Sequence, residues 1–238
     1  PDLPGEPSKK HLPTGGPNAR VLQDMIADSA AFLAEHEVNQ TRRELGESPA
    51  THVWPWGQGR MPVMPSFESR FGLRGAMITA VDLLDGLARV IVGDRLDVPG
   101  QTSYHDTDYA AAGSHGAAAL DAYDIVCVHV EAPDEASHAA DASTKVASIE
   151  AIDEKVIAPV LDRLESFGND WRLLVLPDHY TAVSTRKHDP TPVPFVMCGK
   201  QVAGVVKQPF SERAADESDL HIEHGHELME YFLKSGLN

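Results

Sequence analysis

The chain has 238 residues, of which 42% are hydrophobic, and its 20 basic and 36 acidic residues give a formal net charge of −16. This balance predicts a globular core and argues against general affinity for nucleic acid, whose phosphates need a basic surface. No apolar run approaches the roughly 20 residues of a membrane span, and no segment resembles a signal peptide. With only two cysteines, both in apolar runs, we expect a soluble cytoplasmic protein without disulfides.

The first part of the chain contains a loop-like opening and one strong helical pattern. The segment "PDLPGEPSKKHLPTGGP" is rich in Pro and Gly and predicts a loop. In "NARVLQDMIADSAAFLAEHE" apolar residues recur at helical spacing after Asn18, which predicts a helix with Asn18 as its N-cap. The following Trp-, Gly- and Pro-rich segment predicts a connection. We therefore expect residues 1–52 to be a lobe with its linker and residues 53–238 to be the main domain.

From residue 75 onwards, short β-branched runs alternate with helical patterns. The runs are "GAMITAV", "YDIVCVHV", "RLLVLP" and "VPFVMC". Because they lack a clear period-two alternation, they indicate strands buried on both faces, and therefore an α/β fold with a mainly parallel sheet flanked by helices. The long helical pattern "STKVASIEAIDEKVIAPVLDRLESF" should kink or break at Pro159. A final helix is predicted within "HIEHGHELMEYFLKSG".

Carboxylate and imidazole side chains follow two of the predicted strands. Asp134 and His138 are four residues apart on a predicted helix, so one helical turn places both on one face. Asp178 and His179 come directly after "RLLVLP", and His188 follows on the next loop. Since α/β folds build sites at the carboxyl ends of parallel strands, we expect these five residues to form a metal site. Because Asp178 and His179 are consecutive, their side chains should diverge. They could therefore bind two neighbouring ions, or one could bind an ion while the other contacts its ligands.

The donor set is mixed, with carboxylate oxygens and imidazole nitrogens, which favours Zn or Mn over Ca. Taken singly, each residue also has an ordinary structural role, since an Asp at a helix start is usually a cap and a loop His is usually solvated. His129 lies inside a predicted strand, and we expect it to support the core or the site without binding metal. The spacing leaves open whether His105, Asp106 and Asp108 reach the site.

Several blocks of the sequence resemble one enzyme family. "VHVEAPDEASH", "KVASIEAIDEKVIAPVL" and "LLVLPDHYTAVSTRKHDPTPVPFV" are similar to segments of the archaeal-type cofactor-independent (2,3-bisphosphoglycerate-independent) phosphoglycerate mutases, a branch of the alkaline phosphatase superfamily. Upstream blocks, including "VPGQTSYHDTDYA", resemble the same family, so the resemblance covers nearly the whole chain. It implies an alkaline-phosphatase-like sheet with part of a smaller inserted substrate lobe at the N-terminal end.

The resemblance also implies an activity and a site. The activity is the interconversion of 3-phosphoglycerate and 2-phosphoglycerate in glycolysis through a phosphoserine intermediate, with two divalent ions, Mn or Zn. One ion would be held by Asp134, His138 and His188, and the other by Asp178 and His179. A small phosphorylated substrate is thus expected, with no nucleic acid and no membrane as partner.

Three arginines near the family-like blocks are candidates for binding the carboxylate and phosphate of the substrate: Arg42, Arg60 and Arg186. A guanidinium binds such groups in a bidentate manner. Surface salt bridging is the alternative role for each of them.

The nucleophilic serine is not found in a matching context. In the family, this serine and a further metal-binding Asp precede the first block seen here, so we expect the nucleophile outside these 238 residues. Ser137 and Ser184 lie beside predicted ligands but outside the nucleophile motif.

Two blocks, "SYHDTDYAAAG" and "DHYTA", depart from the family pattern. The family tends to have Gly at Ser103, Asn at Asp108, Lys near Ala112 and Pro at Ala182. These differences leave two alternatives open. One is a phosphomonoester hydrolase or other phosphotransferase of the same superfamily, and the other is an inactive metal-binding remnant.

Overall fold

The computed structural model describes residues 6–60, 63–204 and 208–234. The chain forms two compact units, Pro1–Val63 and Met64–Asn238. The predicted boundary at residues 52–53 falls inside the first unit. That the two parts are a substrate lobe and a metal-binding core stays a prediction.

The first unit is helical, with a 3₁₀ turn at Ser8–His11 followed by α1 (Ala19–Glu35) and α2 (Glu37–Glu44). The predicted helix α1 is confirmed, and Asn18 occupies its N-cap position as predicted, but without capping the helix through its side chain. Asn18 has helical backbone angles, and its side chain makes no capping hydrogen bond. The side chain of Asn39, 2% exposed, instead ties α2 to its surroundings by donating to the carbonyls of Leu33 and Ala50.

The second unit alternates helices with short strands. Its helices are α3 (Phe67–Phe71), α4 (Asp82–Leu87), α5 (Tyr109–Ala119), α6 (Ala132–His138), α7 (Ala142–Ile152), α8 (Ala158–Glu165), α9 (Glu212–Asp216) and α10 (Leu228–Lys234). Its strands are β1 (Gly75–Ile78), β2 (Gly93–Arg95), β3 (Ile125–Val128), β4 (Arg172–Val175), β5 (Tyr180–Ala182), β6 (Lys187–Asp189) and β7 (Val196–Gly199). Among the described residues, no helix is both long enough and apolar enough to cross a bilayer.

The strands confirm the α/β class and correct one detail of the predicted topology. Strands β2, β1 and β3 form a parallel sheet in that order, and all four residues of the central strand β1 are buried. Strand β7, in contrast, pairs antiparallel with β4. A parallel partner would require a crossover connection, usually a helix, whereas residues 176–195 contain the antiparallel hairpin β5–β6. The prediction of a parallel sheet therefore holds for β1–β3 and is wrong for β4 and β7, which form a separate antiparallel pair.

A π-helical segment, Asp153–Ile157, connects α7 to α8 just before Pro159 and confirms the break predicted there. Proline has no N–H to donate to the carbonyl of Lys155, four residues earlier, so the regular ladder cannot continue. That carbonyl faces α5 at Gly113, where an added Cβ would lie only 2.1 Å from the oxygen. The absence of a side chain at Gly113 therefore lets the backbone of α5 contact the backbone of the π-helical segment directly.

This packing supports the beginning of α6. The buried cluster of the second unit joins α5, the π-helical segment and the first residue of α6, and its members are Tyr109, Ala112, Ala132 and Val156. Through Ala132, this cluster holds the start of α6, the helix that carries Asp134 and His138.

Candidate metal centre

Helix α6 presents the first pair of predicted ligands. Asp134 and His138 lie one turn apart on the same face, with His138 Nε2 3.2 Å from Asp134 Oδ2, as the spacing predicted. Ser137, between them, is fully buried, and its hydroxyl donates to the carbonyl of Pro133 at 2.7 Å. The hydroxyl of Ser137 is therefore used in a hydrogen bond within α6.

The turn that follows α6 is held by local hydrogen bonds. The N–H of Asp141 donates to Ala136 O at 2.8 Å and that of Ala140 to Ser137 O at 3.0 Å, the pattern of a Schellman helix end. Ala140 occupies the left-handed position, at φ 60°. We call residues 132–152 the α6–α7 corner.

Asp141 begins the second helix of the α6–α7 corner as its N-cap. Its carboxylate accepts hydrogen bonds from the backbone N–H and the hydroxyl of Thr144, and from the hydroxyl of Ser143. These bonds, led by the backbone N–H of Thr144, lower the pKa of Asp141 from 3.8 to about 2. The corner is thus a stable local structure that presents Asp134 and His138 together.

Residues 178–189, which contain β5, β6 and the two residues before β5 and which we call the β5–β6 hairpin, carry the remaining predicted ligands, Asp178, His179 and His188. In its register, Thr181 is opposite His188. Arg186, in the turn, has a left-handed backbone (φ 58°), and its N–H donates to Ala182 O at 2.7 Å. The carbonyl of Arg186 accepts a hydrogen bond from His138 Nδ1 at 2.9 Å. Because a carbonyl only accepts, Nδ1 of His138 carries the proton, and its Nε2 is left free to bind an ion.

Four of the five predicted ligands form one cluster. His188 Nε2 lies 3.1 Å from His138 Nε2 and 3.5 Å from Asp134 Oδ1. The His179 ring packs against that of His188, with centroids 4.0 Å apart. Asp134, His179 and His188 offer donor atoms that all lie within 4.8 Å of one another. Imidazole nitrogens and a carboxylate this close are the donor set that Zn and Mn prefer.

The fifth predicted ligand, Asp178, lies at the edge of the cluster. Its side chain is 71% exposed, and one carboxylate oxygen is 3.4 Å from Nε2 of the adjacent His179. The resemblance assigned His179 to a second ion together with Asp178, whereas the geometry groups a donor of His179 with Asp134 and His188. The division of ligands between two ions stays a prediction.

Two glutamates near the cluster were missed by the sequence reasoning. Glu131 and Glu135 offer carboxylate oxygens that lie, with that of Asp134, within 4.8 Å of one another. Burial, followed by the charges of Asp134 and Asp178, raises the pKa of Glu131. The signal that could have found them is their i, i+4 spacing, the same spacing that joins Asp134 and His138.

His129, which directly follows β3 and does not lie inside the strand as predicted, supports this carboxylate group. Its Nε2 lies 3.3 Å from Glu131 Oε2, and its Nδ1 lies 3.3 Å from the hydroxyl of the fully buried Thr79. Burial lowers the pKa of His129, which favours the neutral ring. His129 is thus held between β1 and the start of α6.

The three predicted substrate-binding arginines differ in their surroundings. In the first unit, Arg42 donates from Nε to Ser48 O at 2.7 Å and pairs with Glu47 at 3.2 Å, while Arg60 is exposed in a non-helical segment. In the second unit, Arg186 is exposed, and its backbone contacts the cluster through His138. Their substrate roles stay predictions.

Three positions that depart from the family pattern have structural roles in this chain. Asp108 caps α5 by accepting the N–H of Ala111 at 2.9 Å. Ala112 is 1% exposed and packs in the buried cluster. The hydroxyl of Ser103 donates to Ala80 O at 3.1 Å.

The fold and the donor set together define a class, an α/β protein that gathers carboxylate and imidazole groups where strands end. A family model described as the Metalloenzyme superfamily matches residues 11–235. The chain belongs to this superfamily.

The sequence is similar to enzymes named for one reaction. It is 44% identical over 232 residues to "2,3-bisphosphoglycerate-independent phosphoglycerate mutase 2" of Methanothermobacter thermautotrophicus, covering 98% of this chain and 57% of that protein. It is 42% identical over 229 residues to the "2,3-bisphosphoglycerate-independent phosphoglycerate mutase" of Methanothrix thermoacetophila, covering 96% of this chain and 58% of that protein. The chain thus spans a little more than half the length of these curated relatives.

Two solved structures share the fold. The PH0037 protein from Pyrococcus horikoshii superposes with a TM-score of 0.79 at 24% identity, over 95% of this chain and 59% of that one. The cofactor-independent phosphoglycerate mutase from Thermoplasma acidophilum gives a TM-score of 0.53 at 22% identity, over 98% of this chain and 54% of that one. The α/β fold that the sequence predicted agrees with these neighbours.

Proposed function

We propose that this chain is the metal-binding part of a 2,3-bisphosphoglycerate-independent phosphoglycerate mutase, an isomerase that interconverts 3-phosphoglycerate and 2-phosphoglycerate. One observation carries the proposal: Asp134, His138 and His188 meet with donor atoms 3.1–3.5 Å apart. They do so in a chain that is 44% identical to a protein of that name. The proposed reaction is the one for which the relatives are named, and the cluster supplies residues able to bind the metal ions that this reaction would use.

The proposed cofactors are two divalent ions, Mn²⁺ or Zn²⁺. Asp134, His138 and His188 would hold one ion, and Asp178 and His179 the other. When bound, such ions neutralise phosphoryl oxygens and lower the pKa of a hydroxyl nucleophile. The carbonyl of Arg186 keeps the proton on Nδ1 of His138, so that its Nε2 points at the proposed ion.

The proposed reaction transfers the phosphoryl group from one hydroxyl of glycerate to a serine and then to the neighbouring hydroxyl. We propose that this serine lies outside residues 1–238. Ser137 is unsuitable because it is fully buried and its hydroxyl is used within α6. Ser184 is exposed in the turn of the β5–β6 hairpin and lacks the family's nucleophile motif.

The substrate itself needs cationic partners for its carboxylate and phosphate. Arg186 is the favoured candidate of the three, since its residue adjoins the cluster and its side chain is exposed. Arg42 is already paired with Glu47, and Arg60 is exposed in the first unit. A guanidinium at residue 186 would suit bidentate binding of phosphate.

The test is an assay of the full-length protein with 3-phosphoglycerate and without bisphosphoglycerate. We expect formation of 2-phosphoglycerate, loss of this activity after exhaustive chelation, and recovery on adding Mn²⁺ or Zn²⁺. Activity that survives complete metal removal would overturn the proposal.

The same assay separates the alternatives. Phosphate release in large excess over isomerisation would favour a hydrolase or another phosphotransferase, and metal binding without either reaction would favour an inactive remnant. These alternatives rest on the altered block around "DTDYAAAG". In this chain Asp108 caps a helix and Ala112 packs in the core, so both altered positions have roles that do not involve a substrate.

A further inference from the structure

We infer that Thr181 is a positioning residue for the metal centre, with its single hydroxyl group joining the ligands of the α6–α7 corner to those of the β5–β6 hairpin. This inference rests on the proposed function, because it requires a divalent ion at the cluster. Neither the sequence patterns nor the family resemblance assigns Thr181 a role.

The position of Thr181 brings it into contact with ligands from both sides. It is 4% exposed in β5 and lies opposite His188 in the hairpin register. Its hydroxyl donates to the carboxylate of Asp134 in α6, and the same oxygen lies 3.3 Å from Nδ1 of His179. Oγ1 of Thr181 therefore contacts two predicted ligands, Asp134 and His179. A third predicted ligand, His188, is the partner of Thr181 in the β5–β6 pairing.

The protons at this oxygen can be assigned from the groups that surround it. A hydroxyl has one proton to donate and lone pairs to accept, whereas a carboxylate only accepts. The hydroxyl proton of Thr181 therefore points to Asp134, and Oγ1 accepts the proton of His179 Nδ1. This arrangement leaves the Nε2 lone pair of His179 for an ion and holds one carboxylate oxygen of Asp134 in place.

The main chain of Thr181 is anchored to the same corner. The half-buried ammonium of Lys145, in α7, donates to the carbonyl of Thr181 at 2.9 Å. Together with the bond from His138 to the Arg186 carbonyl, this contact ties the β5–β6 hairpin to the α6–α7 corner. Thr181 is held by both its side chain and its backbone, which is what a group that orients ligands requires.

Removing the hydroxyl should therefore weaken metal binding without removing a ligand. Replacement by valine keeps the shape of the side chain but leaves Asp134 without its donor and His179 without a fixed tautomer. Groups that orient metal ligands in this way typically change metal affinity by about 10–100-fold when mutated. We expect an effect of that size for Thr181→Val.

The experiment compares the full-length wild type with Thr181→Val, Thr181→Ser and the control Thr107→Val. Thr107 is also buried, at 7% exposure, and its hydroxyl accepts the N–H of Thr102, outside the cluster. Affinity for Mn²⁺ and Zn²⁺ is measured by titration calorimetry, and the visible spectrum of the Co²⁺-loaded protein reports ligand geometry. We expect about 10–100-fold weaker binding and altered Co²⁺ bands for Thr181→Val, recovery in Thr181→Ser, and wild-type values for Thr107→Val.

The outcomes separate this inference from the proposed function. A folded Thr181→Val protein with wild-type affinity and spectrum overturns the inference alone, whereas a wild type that binds no divalent ion overturns both. If Thr181→Val does not fold, as judged by circular dichroism, Thr181→Ala replaces it, because that variant also lacks the hydroxyl and introduces no larger group. Unchanged metal affinity in Thr181→Ala would then overturn the inference.

Discussion

The α6–α7 corner and the β5–β6 hairpin both carry predicted ligands, but they are held in different ways. The corner is stabilised by contacts between residues close in sequence, such as the Schellman bonds after α6 and the Asp141 cap. The hairpin is a pair of three-residue strands, and all of β6 is exposed. The side chain of His188 is 51% exposed, against 19% for Asp134.

The difference indicates which region determines the geometry of the site. The hairpin is tied to the corner by bonds to Asp134, His138 and Lys145, while the corner has its own local support. We therefore expect changes in the corner to alter both regions and changes in the hairpin to alter mainly the metal centre.

The largest effect is expected for Asp134→Asn, because this carboxylate contacts His138, His188 and Thr181. Loss of the charge should weaken divalent-metal binding by at least ~100-fold, more than the change of an orienting group. Titration calorimetry with Mn²⁺ and Zn²⁺ measures this. The control is Asp162→Asn, an exposed carboxylate in α8, and equal affinity in the two variants would contradict the assignment of Asp134 as a ligand.

The next prediction distinguishes the role of the Arg186 backbone from the role of its side chain. Valine is poorly tolerated at a left-handed position, at a cost of about 1–3 kcal/mol, so Arg186→Val should displace the carbonyl that holds His138. We expect metal affinity to fall by ~10-fold. Arg186→Gly removes the same guanidinium but suits the left-handed backbone, and it should bind metal as the wild type does.

The same pair of variants tests the proposed substrate role of Arg186. If Arg186→Gly keeps its metal affinity but shows a raised KM for 3-phosphoglycerate, the guanidinium acts on the substrate. Wild-type KM in that variant would exclude the role, and loss of metal binding in both variants would contradict the backbone argument.

A smaller effect is expected in the α6–α7 corner for Asp141→Ala, which removes the cap of α7. The melting temperature at neutral pH should fall by roughly 2–4 °C, a typical effect of a lost helix cap in a protein of this size. Since hydrogen bonding lowers the pKa of Asp141 from 3.8 to about 2, its contribution is present above the unfolded-state pKa and is lost as the pH falls towards 2. Melting curves of the wild type and the variant should converge over that range. A difference that does not shrink as the pH falls from 5 towards 2 would argue against the cap.

The smallest effect is expected for Ala140→Gly, at the left-handed position after α6. Glycine adopts this conformation without a steric penalty, so the variant should be more stable by about 0.5–1 kcal/mol. Denaturant unfolding measures the gain, and metal affinity should not change. A less stable variant would show that the Ala140 side chain makes a favourable contact that outweighs its backbone cost.

The same two regions show what could be predicted from the sequence. The pairing of Asp134 with His138 follows from helical spacing, and strands β1, β3, β4 and β7 follow from their apolar runs, because both signals are local. The contacts of the β5–β6 hairpin could not be predicted in this way. The carbonyl of Arg186 is a backbone atom with no residue signature, and Thr181 meets Asp134 across 47 positions of sequence.

Other differences also have a physical cause. The antiparallel pairing of β7 follows from the hairpin between β4 and β7, which the proline-rich sequence "KHDPTPVPF" did not suggest. The grouping of a His179 donor atom with Asp134 and His188 depends on how the hairpin packs, whereas the family resemblance implied an ion shared by His179 and Asp178. In each case a contact between distant residues determined the outcome.

The glycines of α5 limit which part of the candidate metal centre can move. A Cβ at Gly116 would lie 2.7 Å from the side chain of Val128, the last residue of β3, just as one at Gly113 would meet the Lys155 carbonyl. The end of β3, and the residues that lead from it into α6, are therefore packed closely against α5 and cannot move towards it. We expect any closure of the candidate metal centre to come from the exposed β5–β6 hairpin moving towards a stationary α6.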